Sequence, residues 1–454
     1  MNQSFMKERA ILPLVLSMSI PNVLSMLVNS LYNIVDSLFV AKISEDAMTA
    51  LSLVYPLQNI SLAIGVGFSI GMNAVIALFL GMKEERKASI AATTGLIFCG
   101  VHGLILTAVC IGVMPHFLRM FSDNPVVLNM GMEYSVIVFL FCAPHQIYIG
   151  MEKVFQAVGR MKTCMFAMMA GCITNIILDP ILIFGLGPIP AMGISGAAWA
   201  TGIGQVVSMM IYVIVYIAVP LNIRIGRKYM KGTKETLGKV YAIGIPASLS
   251  MAFPSLLIAA LNRILAAYSQ VYIVVLGIYY KLQTFVYMPA NGIIQGIRPL
   301  VGYNYGAKEY ERVNKIYKTA LALCAAMMCV GTILCFLVPG SLMGMFSENT
   351  ETIQAGAAAL SLIAIGFIPS AVSITSSGAL EGLGMGIQSL VISLLRYVVI
   401  IIPTAFILSK CIGVTGVWHA FYITELVTAC AAYLLYKRAF IAPDKRKPVV
   451  DDGE

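Results

Sequence analysis

Long apolar runs recur throughout the sequence, and they restrict the fold more than any other feature. The first, Ile20–Val40, reads IPNVLSMLVNSLYNIVDSLFV and carries a single ionisable residue, Asp36. A helix that rises about 1.5 Å per residue crosses a hydrocarbon core of about 30 Å in roughly 20 residues. Because each run is long enough for one crossing, the pattern predicts an all-α integral membrane protein.

Composition agrees with this interpretation. Only 11% of the residues are charged, whereas soluble domains average about 25%. Short polar loops separate the apolar runs into twelve candidate transmembrane helices. Their predicted bounds are about 12–40, 49–80, 89–115, 128–150, 161–186, 191–219, 237–268, 270–300, 316–340, 352–378, 386–409 and 414–437.

The 30 Lys and Arg residues are distributed unevenly among the loops. With an even number of spans, both termini lie on one side of the membrane, and 23 of the basic residues lie on that side. The opposite loops hold three, and four fall inside spans. The positive-inside rule therefore predicts cytoplasmic termini and a cell-membrane location. The net charge of +9 is a topology signal and gives no reason to expect nucleic acid as a partner.

The two halves of the sequence repeat each other at an offset of 225 residues. Matched positions include Pro21 and Pro246, Ser25 and Ser250, Gly67 and Gly292, Gly71 and Gly296, Lys83 and Lys308, and Gly159 and Gly384. The repeat predicts two pseudo-symmetric bundles of six helices in the same orientation, as in parallel-repeat transporters. The expected boundaries are 1–222 for the first bundle, 223–239 for a basic linker, 240–437 for the second bundle and 438–454 for a cytoplasmic tail.

The halves differ in their charged residues inside the spans. At the 225-residue offset, Asp36 faces Leu261 and Asp179 faces Thr404, so the second half lacks both acids. An acid inside a span is costly unless it meets a cation, a partner or water. We therefore expect the first half to bind a coupling cation. Alternatively, Asp36 reaches interfacial water and Asp179 merely ends its helix.

Oxygen-bearing side chains accompany Asp179 at helical spacing. Asn175 lies four residues before it and shares its helix face, and Pro180 is expected to kink or end the helix. On the next predicted helix, Thr201 and Gln205 are again four residues apart. Such a cluster suits Na⁺, which prefers hard oxygen ligands, or a proton, which relieves repulsion between two carboxylates. The sequence leaves both ions open.

The motifs of the chain resemble those of the multidrug and toxic compound extrusion (MATE) family over nearly its whole length. The motifs are Tyr32-Asn-Ile-Val-Asp36, Gly159-Arg-x-Lys162, Asn175-Ile-Ile-Leu-Asp179-Pro180, Gly193-Ile-x-Gly196-Ala-Ala-x-Ala-Thr201 and Pro299-Leu-Val-Gly-Tyr-Asn304-Tyr-Gly306. Each is weak alone, but their order and spacing within a twelve-helix repeat make the resemblance specific.

This resemblance implies a pair of six-helix bundles that export amphipathic, often cationic, compounds by antiport with H⁺ or Na⁺. It places the cation site at Asp36, Asn175, Asp179 and Thr201, as in the prokaryotic branch that keeps these four. Another branch uses acids of the second bundle, and the apolar residues around Leu261 indicate that such a site is absent here.

Glu425 is the remaining acid in the last span. We expect it to form an ion pair with Arg396 or Arg263 and to take no part in ion coupling. The four intramembrane bases, Arg263, Lys281, Arg298 and Arg396, also leave an alternative function open. If they line a cavity, the chain is instead a lipid or lipid-linked-precursor flippase.

No enzymatic activity is expected, because His102, His116, His145 and His419 stand at no recognisable catalytic spacing. We expect no cofactor and no metal other than Na⁺ at Asp36, Asn175 and Asp179. The expected partners are small amphipathic organic substrates and membrane lipids, with the chain acting as a monomer.

Overall fold

The computed structural model describes residues 4–230 and 233–441. The helices are α1 (Phe5–Glu8), α2 (Ile11–Ala41), α3 (Glu45–Gly81), α4 (Glu85–Arg119), α5 (Pro125–Leu140), α6 (Cys142–Ala157), α7 (Met161–Phe184), α8 (Ile194–Ala218), α9 (Thr233–Leu265), α10 (Gln270–Gly306), α11 (Tyr310–Leu337), α12 (Pro339–Gly344), α13 (Thr350–Ala364), α14 (Phe367–Gly382), α15 (Gly386–Leu394), α16 (Ile401–Ile412) and α17 (Thr415–Ile441). The described chain contains no β-strand, which confirms the predicted all-α class. The predicted tail from 442 onward lies outside the described residues.

Nine helices of the described chain are long and apolar enough to span a membrane, and eleven spans result if each of two bent pairs counts as one. The bent pairs are α5 with α6, at 46°, and α13 with α14, at 54°. Helix α17, of 27 residues, takes the place of the twelfth predicted span and carries Glu425. The fold is thus that of a multi-pass membrane protein, since helices satisfy their own backbone hydrogen bonds in lipid.

Helix caps reproduce the sequence repeat. Ser44 accepts a hydrogen bond from the backbone N–H of Ala47 at 3.0 Å, at the start of α3. The matched residue Ser269 caps α10 through Val271, at 3.2 Å. Asn124 and Asn349 cap α5 and α13 in the same way. These side chains satisfy amide groups that would otherwise lack a partner at the helix start.

The chain divides into two compact units. The N-terminal unit comprises Met1–Glu8 and Ile20–Ser248, and the C-terminal unit comprises Arg9–Ser19 and Leu249–Glu454. The start of α9 therefore packs within the N-terminal unit, together with the basic segment before it. The backbone N–H groups of Arg224 and Gly226 donate to Ser89 and Thr93 of α4, at 3.0 and 3.3 Å.

Matched glycines allow close backbone approach inside each unit. A Cβ at Gly71 of α3 would lie 2.2 Å from the carbonyl oxygen of Val240 on α9. In the C-terminal unit, a Cβ at Gly296 of α10 would lie 2.9 Å from the carbonyl oxygen of Met18 on α2. Both distances exclude a side chain, because helices in lipid gain packing energy where small residues let backbones meet.

A π-helix at Leu395–Val399 changes the register between the two repeats. The N–H of Ile400 bonds to the carbonyl of Leu395 at 3.1 Å, a wider turn than an α-helix makes. The extra residue matches Asp179 with Ala405 and not with Thr404, so the expected pairing is wrong by one position. The difference in charge remains, because Ala405 is buried and carries no acid.

Candidate cation site

The four residues expected to bind the cation come from three helices of the N-terminal unit. Asp36 lies on α2, Asn175 and Asp179 lie on α7, and Thr201 lies on α8. Asp179 is fully buried and Asn175 is 2% exposed, whereas Asp36 and Thr201 are partly buried. Helix α7 continues through Pro180 to Phe184, so of the two expected effects of Pro180 the helix end does not occur, and Asp179 does not end its helix.

The side-chain amide of Asn175 connects Asp179 on α7 with Thr201 on α8. When the amide is oriented to satisfy both neighbours, its nitrogen donates to Oδ2 of Asp179 at 3.1 Å. Its oxygen then accepts from the backbone N–H of Thr201, also at 3.1 Å. The amide therefore holds α7 and α8 in register beside the carboxylate.

The carboxyl groups of Asp36 and Asp179 lie close enough to interact with each other. Two ionised carboxylates repel each other, so their proximity favours a proton or a cation at the pair. Oδ1 of Asp36 is buried and has no hydrogen-bond partner in the described chain. The pair thus has both the charge and the free oxygen that a monovalent cation needs.

The surroundings of the pair include tyrosine hydroxyl groups. Tyr32 and Tyr134 lie close enough to both aspartates to interact with them electrostatically. The amide of Gln58 donates to the hydroxyl of Tyr134 at 3.5 Å. Within the described residues, neither aspartate forms an ion pair with Lys or Arg. An acid pair without a basic partner leaves its charge to be balanced by an ion.

A cavity adjoins the site in the N-terminal unit. Asn175 and Thr201 lie on its wall and connect it to the carboxylates. The other lining residues with polar side chains include Asn29, Tyr32, His145, Tyr148, Gln205 and Ser208. Gln205, which we expected to add an oxygen ligand, faces this cavity, and in the described chain it forms no hydrogen bond with either aspartate.

Sequence reasoning missed the far wall of the cavity. His145 and Tyr148 are three residues apart on α6, and their rings stack at 5.9 Å. Asn29 and Tyr32, on α2, precede Asp36 by seven and four residues and so share its helix face. That spacing could have indicated Asn29 and Tyr32, whereas nothing in the sequence connects His145 with α2 or α7.

The C-terminal unit contains the ion pair that we expected for Glu425. Nη2 of Arg396 lies 2.6 Å from Oε1 of Glu425. Arg263, the other candidate partner, is exposed and is not paired with Glu425. Of the remaining intramembrane bases, Arg298 pairs with Glu381 at 2.7 Å. Lys281 is exposed and lies 5.7 Å from the centre of the Phe346 ring.

Comparison with known proteins places this geometry in a family. A model of the MatE family matches residues 21–181 and 246–407. The chain belongs to the MATE family. It is therefore a transporter with many transmembrane helices and not an enzyme, as the sequence predicted.

Relatives of the MATE chain cover most of its length. The multidrug export protein MepA of Staphylococcus aureus (strain bovine RF122 / ET3-1) is 27% identical over 421 residues, which are 92% of this chain and 91% of that protein. MepA of Staphylococcus saprophyticus subsp. saprophyticus is 25% identical over 418 residues, with the same shares covered.

Solved structures support the MATE fold. A crystal structure of MATE in complex with MaL6 has a TM-score of 0.91 and 21% identity, covering 98% of this chain and 99% of that one. A MOP superfamily transporter from Pyrococcus furiosus, described as having a binding pocket of reverse polarity, gives the same score, identity and coverage. At this identity the likeness concerns the fold alone, and it confirms the predicted architecture.

Proposed function

We propose that this MATE transporter is a multidrug efflux protein of the cell membrane that exports amphipathic, cationic organic compounds by antiport with H⁺ or Na⁺. Multidrug export is supported by the two staphylococcal relatives, whose alignment spans 92% of this chain. The proposed coupling site consists of Asp36, Asn175, Asp179 and Thr201. No resident cofactor is needed, since the ion gradient supplies the free energy.

The observation that carries the coupling proposal is the contact between Asp36 and Asp179 without a basic partner. A Na⁺ ion would find carboxylate, amide and hydroxyl oxygens there, which are the ligands that hard cations prefer. A proton would serve equally, because it removes the repulsion between the two carboxylates. Both ions change the charge of the site by one unit, so both can be coupled to a conformational change.

The proposed mechanism is exchange between drug and cation. A cation that enters from outside neutralises the Asp36–Asp179 pair, which lowers the affinity of the N-terminal unit for a cationic drug. Release of the drug is then followed by return to the state that is open to the cytoplasm. Such coupling requires that the cation bind the two states with different affinity.

Side chains on the cavity wall indicate the class of substrate. Tyr32 and Tyr148 present aromatic rings, whose faces attract cations, and Met168 presents a thioether that adapts to different shapes. The unit offers few intramembrane acids beyond the coupling pair. We therefore propose moderately apolar monocations as substrates. We also propose that the transporter acts as a monomer and that both of its termini lie in the cytoplasm.

The alternative of a lipid flippase depends on free intramembrane bases. Arg298 and Arg396 each pair with a glutamate, so their charges are balanced inside the C-terminal unit. Arg263 and Lys281 are the two exposed bases. Pairing of half of the set removes the basic cavity that an anionic head group would need, which favours drug export.

The decisive experiment is substrate efflux from proteoliposomes with pH and Na⁺ gradients imposed separately. Export of a monocation such as ethidium should follow one gradient and cease when that gradient is collapsed. Export of the dye with neither gradient would instead indicate a passive channel. Transfer of a labelled anionic lipid between leaflets, without dye export, would establish the flippase.

A further inference from the structure

The positions that line the cavity of the N-terminal unit have counterparts in the C-terminal unit that can be located residue by residue. Gly159 and Gly384 have φ angles of 78° and 79° and directly precede the starts of α7 and α15. This matched turn keeps the 225-residue offset at the beginning of both helices. Arg396 is therefore the counterpart of Gly171, which lines the cavity.

The last helix of each unit is aligned by a second pair of glycines. A Cβ at Gly196 of α8 would lie 2.5 Å from the carbonyl carbon of Leu182, and one at Gly416 of α17 would lie 2.3 Å from that of Leu408. Counting from these equivalent contacts, Glu425 is the counterpart of Gln205. Gln205 also lines the cavity.

Arg396 and Glu425 thus occupy the positions that correspond to Gly171 and Gln205 in the cavity wall of the N-terminal unit. In that unit, Gly171 carries no side chain, and a Cβ there would lie 2.0 Å from Oγ of Ser208. In the C-terminal unit the corresponding position is Arg396, and the helix there widens into the π-helix at Leu395–Val399. The wider turn gives the arginine the room that an α-helix in this register lacks.

The guanidinium group of Arg396 contacts one carboxylate and two tyrosine rings. Its Nε donates to Oε1 of Glu425 at 2.7 Å, and its Nη2 donates to the hydroxyl of Tyr287 at 3.3 Å. The guanidinium carbon lies 5.5 Å from the ring centre of Tyr287 and 5.2 Å from that of Tyr397. The residue is only 7% exposed. These contacts are those of a bound organic cation: one carboxylate and two aromatic faces.

We propose that Arg396 is a tethered cation that permanently occupies the C-terminal counterpart of the cavity. Its charge balances Glu425, so this unit binds no exchangeable ion and each transporter couples through its N-terminal unit alone. Occupancy of this position by Arg396 does not depend on transport activity. Coupling through the N-terminal unit alone rests on the proposed function.

The proposal assigns a latent binding site for a planar cation of the guanidinium class. Removal of the arginine side chain leaves Glu425 buried without a counter-charge, at a site shaped for a guanidinium. Oε2 of Glu425 has no hydrogen-bond partner in the described chain. A free guanidinium, which is not restrained by the chain, can therefore bind both carboxylate oxygens through two parallel N–H donors.

The test measures the melting temperature of purified Arg396→Ala with millimolar guanidinium or urea. Guanidinium should raise the melting temperature by about 2 °C or more, because a ligand that binds only the folded state stabilises it. Urea has the same shape without the charge and should give no increase. Adding Glu425→Gln to the variant should abolish the response to guanidinium, and the exposed Arg119→Ala should show none.

Several results would overturn the proposal. One is an Arg396→Ala protein as stable as the unsubstituted chain and indifferent to guanidinium. Another is an equal response in Arg396→Ala with Glu425→Gln. If Arg396→Ala yields no folded protein, the proposal is tested by whether the double variant Arg396→Met with Glu425→Gln folds. This neutral pair of similar volume should fold, and its failure to fold would contradict a role based on charge balance.

Efflux by the neutral pair tests the coupling statement. Arg396→Met with Glu425→Gln should export dye with the same dependence on the driving ion as the unsubstituted protein. A folded variant with altered ion dependence would show that the C-terminal unit takes part in coupling. Absence of ion-driven efflux in the unsubstituted protein would instead refute the proposed function and leave the melting result intact.

Discussion

Asp36 and Asp179, from α2 and α7, lie side by side in the N-terminal unit, close enough for their carboxyl groups to interact. No base of the described chain forms an ion pair with either of them. In the C-terminal unit, by contrast, Glu381 and Glu425 each have an arginine partner. The two glutamates are thus balanced by arginines, whereas the two aspartates of the N-terminal unit have no basic partner among the described residues.

Asp36→Asn should reduce gradient-driven efflux at least about tenfold, because coupling energies of 1–3 kcal/mol correspond to roughly 5–150-fold effects. The amide keeps the size of the side chain but neither holds a cation by charge nor takes up the proton. Ethidium efflux from proteoliposomes measures the effect at equal expression. Asp46→Asn is the matched control and should export normally, because Asp46 lies in the first turn of α3, where its carboxylate accepts a hydrogen bond from Asn124. Full efflux by Asp36→Asn would refute the coupling role.

Asn175→Leu should weaken cation binding more than Thr201→Val does. In the orientation that satisfies both neighbours, the amide of Asn175 accepts from the backbone N–H of Thr201, and valine keeps that group. Leucine removes the bond to Asp179 as well and leaves a buried acceptor unpaired, at a cost of about 1–3 kcal/mol. The concentration of driving ion at half-maximal efflux reports the difference. An equal effect of both variants would show that the Thr201 hydroxyl binds the amide or the cation directly.

Gly71→Ala should destabilise the N-terminal unit by about 1–3 kcal/mol, since the added methyl group would overlap the backbone of Val240. The matched control is Gly112→Ala on α4, where no atom lies within 4 Å of the new Cβ. That control should be neutral or stabilising by up to about 1 kcal/mol, because alanine favours the helix. Melting temperatures in detergent compare the two. A Gly71→Ala protein as stable as the control would exclude close packing of α3 against α9.

Lys153→Met should be strongly destabilising, because the lysine of α6 is buried and paired with its neighbour Glu152. The residue is 5% exposed, and its Nζ lies 3.1 Å from Oε1 of Glu152. Breaking a buried pair costs about 3–5 kcal/mol because the remaining charge is uncompensated. Adding Glu152→Gln should restore most of the stability. No recovery in the double variant would indicate that lysine packing matters more than charge.

Apolar run length gave the helices closely, since transfer from water into lipid depends on local composition. Predicted bounds such as 161–186 agree with the observed Met161–Phe184 to within a few residues. The sequence also indicated residues of the candidate cation site, because Asn175 and Asp179 share a helix face and the second repeat lacks acids at the positions of Asp36 and Asp179. For Pro180 the sequence allowed a kink or a helix end, and α7 continues past it to Phe184, since a proline removes only one backbone donor.

What the sequence by itself determined is the set of spans, the repeat, the charge asymmetry and the family resemblance. Only the tertiary structure decided which groups meet: Asp36 with Asp179, Arg396 with Glu425, and His145 with the cavity wall. The π-helix that shifts the repeat by one residue and accommodates Arg396 was likewise invisible in the sequence. The physical reason is that hydrophobicity and helix periodicity act within one segment, whereas pairing of buried charges depends on which helices become neighbours.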